Sequence, residues 1–274
     1  MENGIQTSVT EEEIADFLIN DGYPPELMPV SCILAGSQAY GLALKDSDRD
    51  YVGIHLMDTW SCLEHPDYRP DFQVIRRKFT KDFQEVSPGV KGGDISLDSF
   101  EMWKFINLIT KGSFVTYEIL YMPEIHHDIC SNTLIELCRA ALNNKIGKAA
   151  KCNAFHDWRR DKSNRKKTVM AYYRLIQAIY FLREMEFEWK ADSLWDYVKS
   201  IIPVGGEVLK QYMDVETRLL ALDEGQLDKV ASEIEKLVDE VGRAMVITKL
   251  PDQSPEAVVK EILQVLINTR SGLI

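Results

Sequence analysis

Two neighbouring stretches, AGSQAYGL over residues 35–42 and DSDRDY over residues 46–51, decide the fold class of this 274-residue chain. The segment that leads into the first stretch, PVSCILA over 29–35, is short and apolar, which predicts a buried β-strand ending at a Gly-Ser pair. The segment RDYVGIHLM over 49–57 alternates between two sides and predicts a second strand. Two strands joined through a glycine turn therefore form the predicted centre of the molecule.

The residue types in these stretches fit a phosphate and metal site. Gly36 has no side chain, so an anion can approach its backbone closely, and Ser37 adds a hydroxyl beside the N–H groups that open the next short helix. Asp48 and Asp50 are two residues apart on a strand, so both carboxylates point to the same face. Two adjacent carboxylates repel each other unless a hard cation lies between them, and Mg²⁺ bound to triphosphate oxygens is the natural occupant. We expect Asp46 to be a turn residue.

The rest of the chain changes from mixed to helical character. A capping-box spacing predicts a helix over 11–20, and weaker strand patterns occur at 72–79 and 93–98. From residue 98 the apolar spacing becomes helical, and after about residue 130 almost no strand signal is left. We predict an α+β chain with a small mixed-sheet core over 1–125 and an all-helical domain over 126–274. The later helices are predicted over 133–143, 145–160, 165–189, 192–201, 206–223, 226–247 and 255–268.

Charge is distributed unevenly along the chain. The net charge is −11, yet residues 145–167 hold nine basic and two acidic side chains and form a basic band. This composition disfavours non-specific coating of DNA but allows a local anion site. Two interpretations stay open: a solvated helix face, or contacts of the band with a triphosphate or an RNA acceptor, with Trp158 stacking on a base.

Several classes of protein are disfavoured by what the sequence lacks. No apolar run approaches the roughly 18–20 residues of a membrane-spanning helix, and the first residues carry no secretion signal. The five cysteines are scattered and never form a CxxC pair, which disfavours a disulfide framework and a zinc ribbon. The run His126-His127-Asp128 lacks a helical i,i+4 partner and predicts a loop. We expect a cytoplasmic protein without a membrane partner.

The motif GSQAYGL (36–42) followed by DSDRDYVGI (46–54) resembles the DNA polymerase β-type nucleotidyltransferase superfamily. More narrowly, it resembles bacterial and phage nucleotidyltransferases with a GSHAYGL…SDxDYRGI signature, some of which are found beside RNA-repair genes. A looser resemblance extends through residues 104–124 and the helix over 166–182. Gln38 stands where that signature has His.

The resemblance implies a third carboxylate on a neighbouring strand, which completes a two-metal site. Residues 93–98, GDISLD, supply Asp94 and Asp98 on one face of a predicted strand. Asp94 is the first choice because it opens the segment, whereas Asp98 is also placed to be the N-cap of the next helix. Alignment back from that helix favours the region of Asp98, so both stay candidates.

The resemblance also implies a reaction and its ligands. Two Mg²⁺ ions held by Asp48, Asp50 and Asp94 (or Asp98) would serve the transfer of a nucleoside monophosphate from a nucleoside triphosphate to an acceptor hydroxyl. Lys167 and Arg174, two helical turns apart on one face, would contact the triphosphate together with Gly36 and Ser37. An RNA 3′ end is one implied acceptor. The alternatives are AMP transfer to a protein or small molecule, and a catalytically silent nucleotide-binding module. Together, these residues and ligands form the predicted site.

Overall fold

A mixed five-stranded sheet lies at the centre of the computed structural model, with strand order β3-β4-β2-β1-β5. The β2–β4 pair is parallel and the other three pairs are antiparallel. The strands are β1 (Leu27–Ala35), β2 (Arg49–Met57), β3 (Val74–Phe79), β4 (Ile95–Glu101) and β5 (Glu124–His127). The structure describes residues 10–43, 47–57, 73–87, 94–127, 131–161, 164–201 and 224–270.

The described residues also form ten helices. Their starts follow local sequence signals: Thr10 forms a full capping box with Glu13, and Asn164 caps the long helix that begins at Arg165. The helices are α1 (Glu11–Asn20), α2 (Gly36–Ala39), α3 (Met102–Thr110), α4 (Phe114–Tyr121), α5 (Ser131–Ala140), α6 (Ile146–Arg160), α7 (Arg165–Glu184), α8 (Ala191–Ile201), α9 (Glu224–Ile247) and α10 (Glu256–Arg270).

The two faces of the sheet pack against different elements, because strand side chains alternate. Tyr51 and Leu97 point to the face covered by α1, where they join a small core with Ile14 and Leu18. We call this the α1 face. Ile54 and the residues that alternate with it point to the opposite face and join a large core built mainly from α3 to α10. We call this the helical face.

The predicted α+β fold class, a small mixed sheet followed by helices, is confirmed. The large core contains residues from both sides of the predicted boundary at 125/126, and that boundary stays a prediction. The predicted helix over 206–223 lies outside the described residues, as do Asp46 and Asp128. None of the described helices is long and apolar enough to cross a membrane.

Two local predictions are wrong. His126 and His127, which we predicted to lie in a loop, are part of strand β5 (Glu124–His127), because the backbone there pairs with β1. Strand β4 continues to Glu101, three residues beyond the point where we expected helical structure. The reason is the parallel pairing with β2, which runs as far as His55 opposite Glu101.

Candidate functional site

The glycine turn after β1 is in contact with the carboxylate of Asp50. Gly36 has a φ of +67°, in the region that favours glycine. A Cβ atom built on Gly36 would lie 2.4 Å from Oδ2 of Asp50, and Ala35 pairs directly with Asp50 across β1 and β2. We expected the space beside Gly36 to admit an anion, whereas the structure fills it with the Asp50 carboxylate. The glycine therefore brings the turn and the acidic residue together.

Asp48 lies immediately before β2 and is exposed. The loop that precedes it is tied to the glycine turn, because Nε2 of Gln38 donates a hydrogen bond to the backbone oxygen of Ser47 over 3.2 Å. Gln38, the departure from the family signature, thus connects the two halves of the motif. Arg49 points to the opposite face of the sheet, where its Nε pairs with Oε1 of Glu11 at 3.0 Å.

Strand β4 brings two further polar residues to the same sheet face as Asp50. Ser96 lies opposite Asp50 in the parallel register and donates a hydrogen bond to its Oδ1 over 2.7 Å. Asp98, two residues further along β4, is half-buried on the same face. Burial raises the pKa of Asp98, the Arg76 charge lowers it, and the negative charge of Asp50 raises it. The carboxylates of Asp50 and Asp98 therefore act on each other electrostatically.

The two candidates for the third carboxylate have different surroundings. Oδ2 of Asp94 accepts a hydrogen bond from the backbone N–H of Lys81 over 3.2 Å, and Lys81 Nζ lies 3.9 Å from its Oδ1. Asp94 is thus held by the turn between β3 and β4. The competing role that we considered for Asp98, an N-cap, is wrong, because the N-cap of α3 is Glu101, whose carboxylate accepts from Trp103 N over 2.7 Å.

The acidic residues at this face offer carboxylate oxygens, the ligand type that Mg²⁺ takes in proteins. Within the described part of the chain, no group of three or more His, Cys, Asp or Glu side chains is already arranged to hold a metal ion. Mg²⁺ is usually held by one or two carboxylates together with substrate phosphates, and does not need an all-protein cage. The oxygen donors of Asp48, Asp50 and Asp98 fit that chemistry.

A buried polar cluster lies directly behind the motif. Tyr40, the first residue after α2, donates a hydrogen bond to Oε1 of Glu118 on α4. Its ring stacks on Tyr173 of α7 with centroids 4.3 Å apart, and its backbone oxygen accepts from Ala191 N over 3.1 Å. The motif is therefore anchored to α4, α7 and α8 at one residue.

Glu118 is a carboxyl group buried inside this cluster. Burial raises the pKa of Glu118 to about 7, while the hydrogen bond from Tyr40 and the charge of Arg174 lower it. Arg174, which we expected at the triphosphate, thus interacts electrostatically with Glu118 and the adjoining tyrosines. Lys167 forms an ion pair with Asp161, with Nζ and Oδ2 3.5 Å apart. Contact of Lys167 and Arg174 with a nucleotide stays a prediction.

The basic band falls mainly on α6. Trp158 is buried in the large core, so the interpretation in which it stacks on a base is wrong at this residue. The guanidinium of Arg159 lies 4.9 Å from the ring centroid of Phe155. The exposed side of α6 borders an open cavity of about 560 Å³, whose described lining is Lys151, Cys152, Phe155, His156, Arg159 and Arg160.

Sequence reasoning missed three residues of this arrangement: Ser96, Tyr40 and Glu118. Ser96 alternates with Asp98 on β4, so the strand pattern contained its signal. Tyr40 is part of the motif, but nothing local indicates its partner 78 residues away. Only the packing of α4 against the motif brings Glu118 to that position.

Comparisons with known proteins identify no family for this chain. No protein-family model and no curated protein sequence matches the chain. Among solved structures, the chain is similar to the crystal structure of a nucleotidyltransferase-like protein from Exiguobacterium sibiricum 255-15. The two are 13% identical, the TM-score is 0.27, and the match covers 95% of this chain and 89% of that one. A similarity this low does not establish a common fold.

Proposed function

We propose that this protein is a nucleotidyltransferase whose site is the acidic part of the helical face. The observation that carries the proposal is the contact between the glycine turn and Asp50, with Ser96 and Asp98 beside it on the same face. One half-buried carboxylate thus lies between the glycine turn and a second carboxylate. Like charges held together in a folded protein cost stability, and such arrangements are concentrated at functional sites.

The proposed reaction is the transfer of a nucleoside monophosphate. The oxygen of an acceptor hydroxyl attacks the α-phosphorus of a nucleoside triphosphate and forms a new P–O bond. The bond from that phosphorus to the bridging oxygen breaks, pyrophosphate leaves with the electron pair, and the hydroxyl proton passes to solvent or to a carboxylate. Gly36 and Ser37 would bind the terminal phosphates. Asp48, Asp50 and Asp98 would hold Mg²⁺, which when bound offsets phosphate charge and makes the acceptor oxygen more nucleophilic.

The side chains around this face have separate tasks in the proposal. Ser96 holds one oxygen of Asp50 and so fixes the direction of the other toward the glycine turn. Gln38 holds the loop that carries Asp48. Orientation of this kind contributes to catalysis because the groups need not reorganise when charge develops on the phosphates.

A direct test uses ATP labelled at the α-phosphate, with Mg²⁺ and a single-stranded oligoribonucleotide that ends in a 3′ hydroxyl. We expect label on the RNA, and the other three labelled nucleoside triphosphates identify the base that is used. Label on the protein would indicate AMP transfer to a side chain. If none of the nucleoside triphosphates gives a labelled product with any of these acceptors, nucleotidyl transfer to them is contradicted.

A second function, nucleotide binding without transfer, is favoured by one observation: Gln38 stands where the similar signature has His. A silent module would bind ATP and shift its thermal midpoint without forming labelled product. The comparison of Asp50→Asn with the parent protein distinguishes the two, because only an enzyme loses turnover in that variant.

A further inference from the structure

The edge strand β3 places two cations on the acidic face. In the antiparallel register with β4, Arg76 lies opposite Asp98 and Lys78 lies opposite Ser96. Directly paired residues project to the same side of a sheet, so both cations share the face that carries Asp50. Both are exposed, and the Arg76 side chain is 75% accessible.

These two cations differ from their neighbour Arg77. Arg77 points to the α1 face, where its guanidinium pairs with both carboxylate oxygens of Glu85 at 2.8 and 2.6 Å and donates to the backbone oxygen of Gly22 over 2.9 Å. Arg77 therefore has a structural role. By contrast, Arg76 forms only a long, exposed ion pair with Asp98, with Nε 3.9 Å from Oδ2, and Lys78 acts on Asp98 through its charge.

The order of groups across the sheet determines where an acceptor must lie. The glycine turn is at the end of β1, Asp50 is on β2, Asp98 is on β4, and Arg76 and Lys78 are on β3. In phosphoryl transfer the attacking oxygen and the leaving oxygen lie roughly in line, on opposite sides of the phosphorus. With the leaving pyrophosphate at the turn, the acceptor therefore approaches across the carboxylates, from the side of β3.

We propose that Arg76 and Lys78 bind phosphates of the acceptor, and that the acceptor is a polynucleotide strand end and not a protein side chain. This inference rests on the proposed function, because that function fixes the direction of attack. Two exposed cations that follow each other along a strand, about 7 Å apart, suit successive phosphates of one chain. A protein or neutral small-molecule acceptor would offer them no matching charge.

The test measures binding to a 5′-fluorescent oligoribonucleotide that ends in a 3′-deoxy nucleotide, so that no transfer takes place. For Arg76→Ala combined with Lys78→Ala, we expect the Kd to rise about tenfold. The slope of log Kd against log salt should fall by about 1.4, since each phosphate contact on a single strand contributes about 0.7. Arg76→Lys keeps the charge and should keep most of the slope. Lys249→Ala, which removes one exposed charge from the loop after α9, is the matched control and should change neither quantity.

Three results would overturn the inference. The first is unchanged affinity and slope in the double variant. The second is loss of binding only when Arg159 and Arg160 on α6 are replaced by Ala, which would assign RNA to the basic band. The third is equal competition by adenosine monophosphate and by unlabelled oligoribonucleotide, which would indicate a small phosphate-bearing acceptor.

Unchanged Mg²⁺-dependent ATP binding in the double variant shows that the nucleotide site is intact. Because RNA binding is read without turnover, a parent protein that binds RNA but transfers no nucleotide contradicts only the proposed function.

Discussion

Strands β2 and β4 carry polar side chains on both faces of the sheet, and the two sets have different surroundings. On the α1 face, His55 and Ser99 are fully buried, with Nδ1 and Oγ 2.9 Å apart. On the helical face, Asp50 and Asp98 are half-buried carboxylates that act on each other electrostatically. The buried pair on the α1 face is thus joined by a hydrogen bond, whereas the helical face brings two like charges together, one of which also accepts a hydrogen bond from Ser96.

The difference separates stability from function along the same two strands. A buried hydrogen bond such as that between His55 and Ser99 contributes to folding, and its loss leaves a buried group unpaired. The repulsion between two carboxylates on one face opposes folding, and a cation bound between them removes that cost. Substitutions on the two faces should therefore have opposite consequences.

The largest expected effect comes from the third carboxylate. Asp98→Asn should reduce nucleotidyl transfer about 100-fold or more, because it removes a charge from the face that holds Asp50. Asp94→Asn, the matched control immediately before β4, should retain most activity, since Asp94 is held by the turn at Lys81. Transfer of α-labelled nucleotide measures both. The reverse ranking would assign the third carboxylate to Asp94.

The next effect concerns Glu118, which lies buried behind the helical face. Its pKa is about 7 in the folded protein and has an ordinary value of 4.5, so the folded state binds its proton more tightly. Proton binding by Glu118 therefore adds to the unfolding free energy below pH 4.5, and this contribution is lost as the pH rises through 7. Between pH 4.5 and 8, the parent should lose about 3 kcal/mol of unfolding free energy relative to Glu118→Gln. Urea denaturation at several pH values checks this.

The variant Tyr40→Phe sharpens the same measurement. The hydrogen bond from Tyr40 lowers the pKa of Glu118, so its removal should raise that pKa. The fall in unfolding free energy should then continue to a higher pH than in the parent. An identical pH dependence in the parent protein, Glu118→Gln and Tyr40→Phe would show that Glu118 does not titrate in this range.

A smaller effect is expected at the glycine turn. Gly36→Ala and Gly41→Ala both place a side chain at positive φ, +67° and +72°, and each should cost about 1–2 kcal/mol of stability. Only the first displaces Asp50, because among the described residues, chain neighbours aside, no atom lies within 4 Å of a Cβ built on Gly41. Gly36→Ala should therefore also lower transfer about tenfold relative to Gly41→Ala. Equal activities would separate the turn from the site.

The smallest effect is expected on the α1 face. Ser99→Ala removes the hydroxyl beside His55 and should lower the unfolding free energy by about 1–2 kcal/mol. Nucleotidyl transfer by the folded variant should stay at the parent level. A variant of normal stability with reduced transfer would mean that the two faces are not functionally separate.

The sequence was most informative where its signals are local. The strands on either side of the motif and the capped starts of α1 and α7 follow from patterns within a few residues. Strand β5 was missed because its four residues join the sheet through backbone pairing with β1, which their side chains do not encode. The end of β4 was misplaced for a related reason: its pairing with β2 outweighs the helical spacing that begins near Phe100.

Prediction of the site had the same limit. The motif pointed to Gly36 and Asp50, but the reason for the glycine, its contact with Asp50, depends on the register of two strands. Arg174 was placed by helical spacing and by the family resemblance, neither of which could anticipate a buried carboxyl group from α4 beside it. Residues brought together across the chain become visible only in the folded arrangement.

Asp50→Asn tests the central claim most directly, because Asp50 joins the glycine turn to the acidic face. The variant and the parent are compared in metal-free buffer by thermal midpoint, and with Mg²⁺ and α-labelled nucleotide by transfer. We expect an equal or higher midpoint, since a repelling charge is removed, together with loss of transfer and of Mg²⁺-dependent stabilisation by ATP. An Asp50→Asn protein that unfolds, or that transfers nucleotide at the parent rate, would contradict the account.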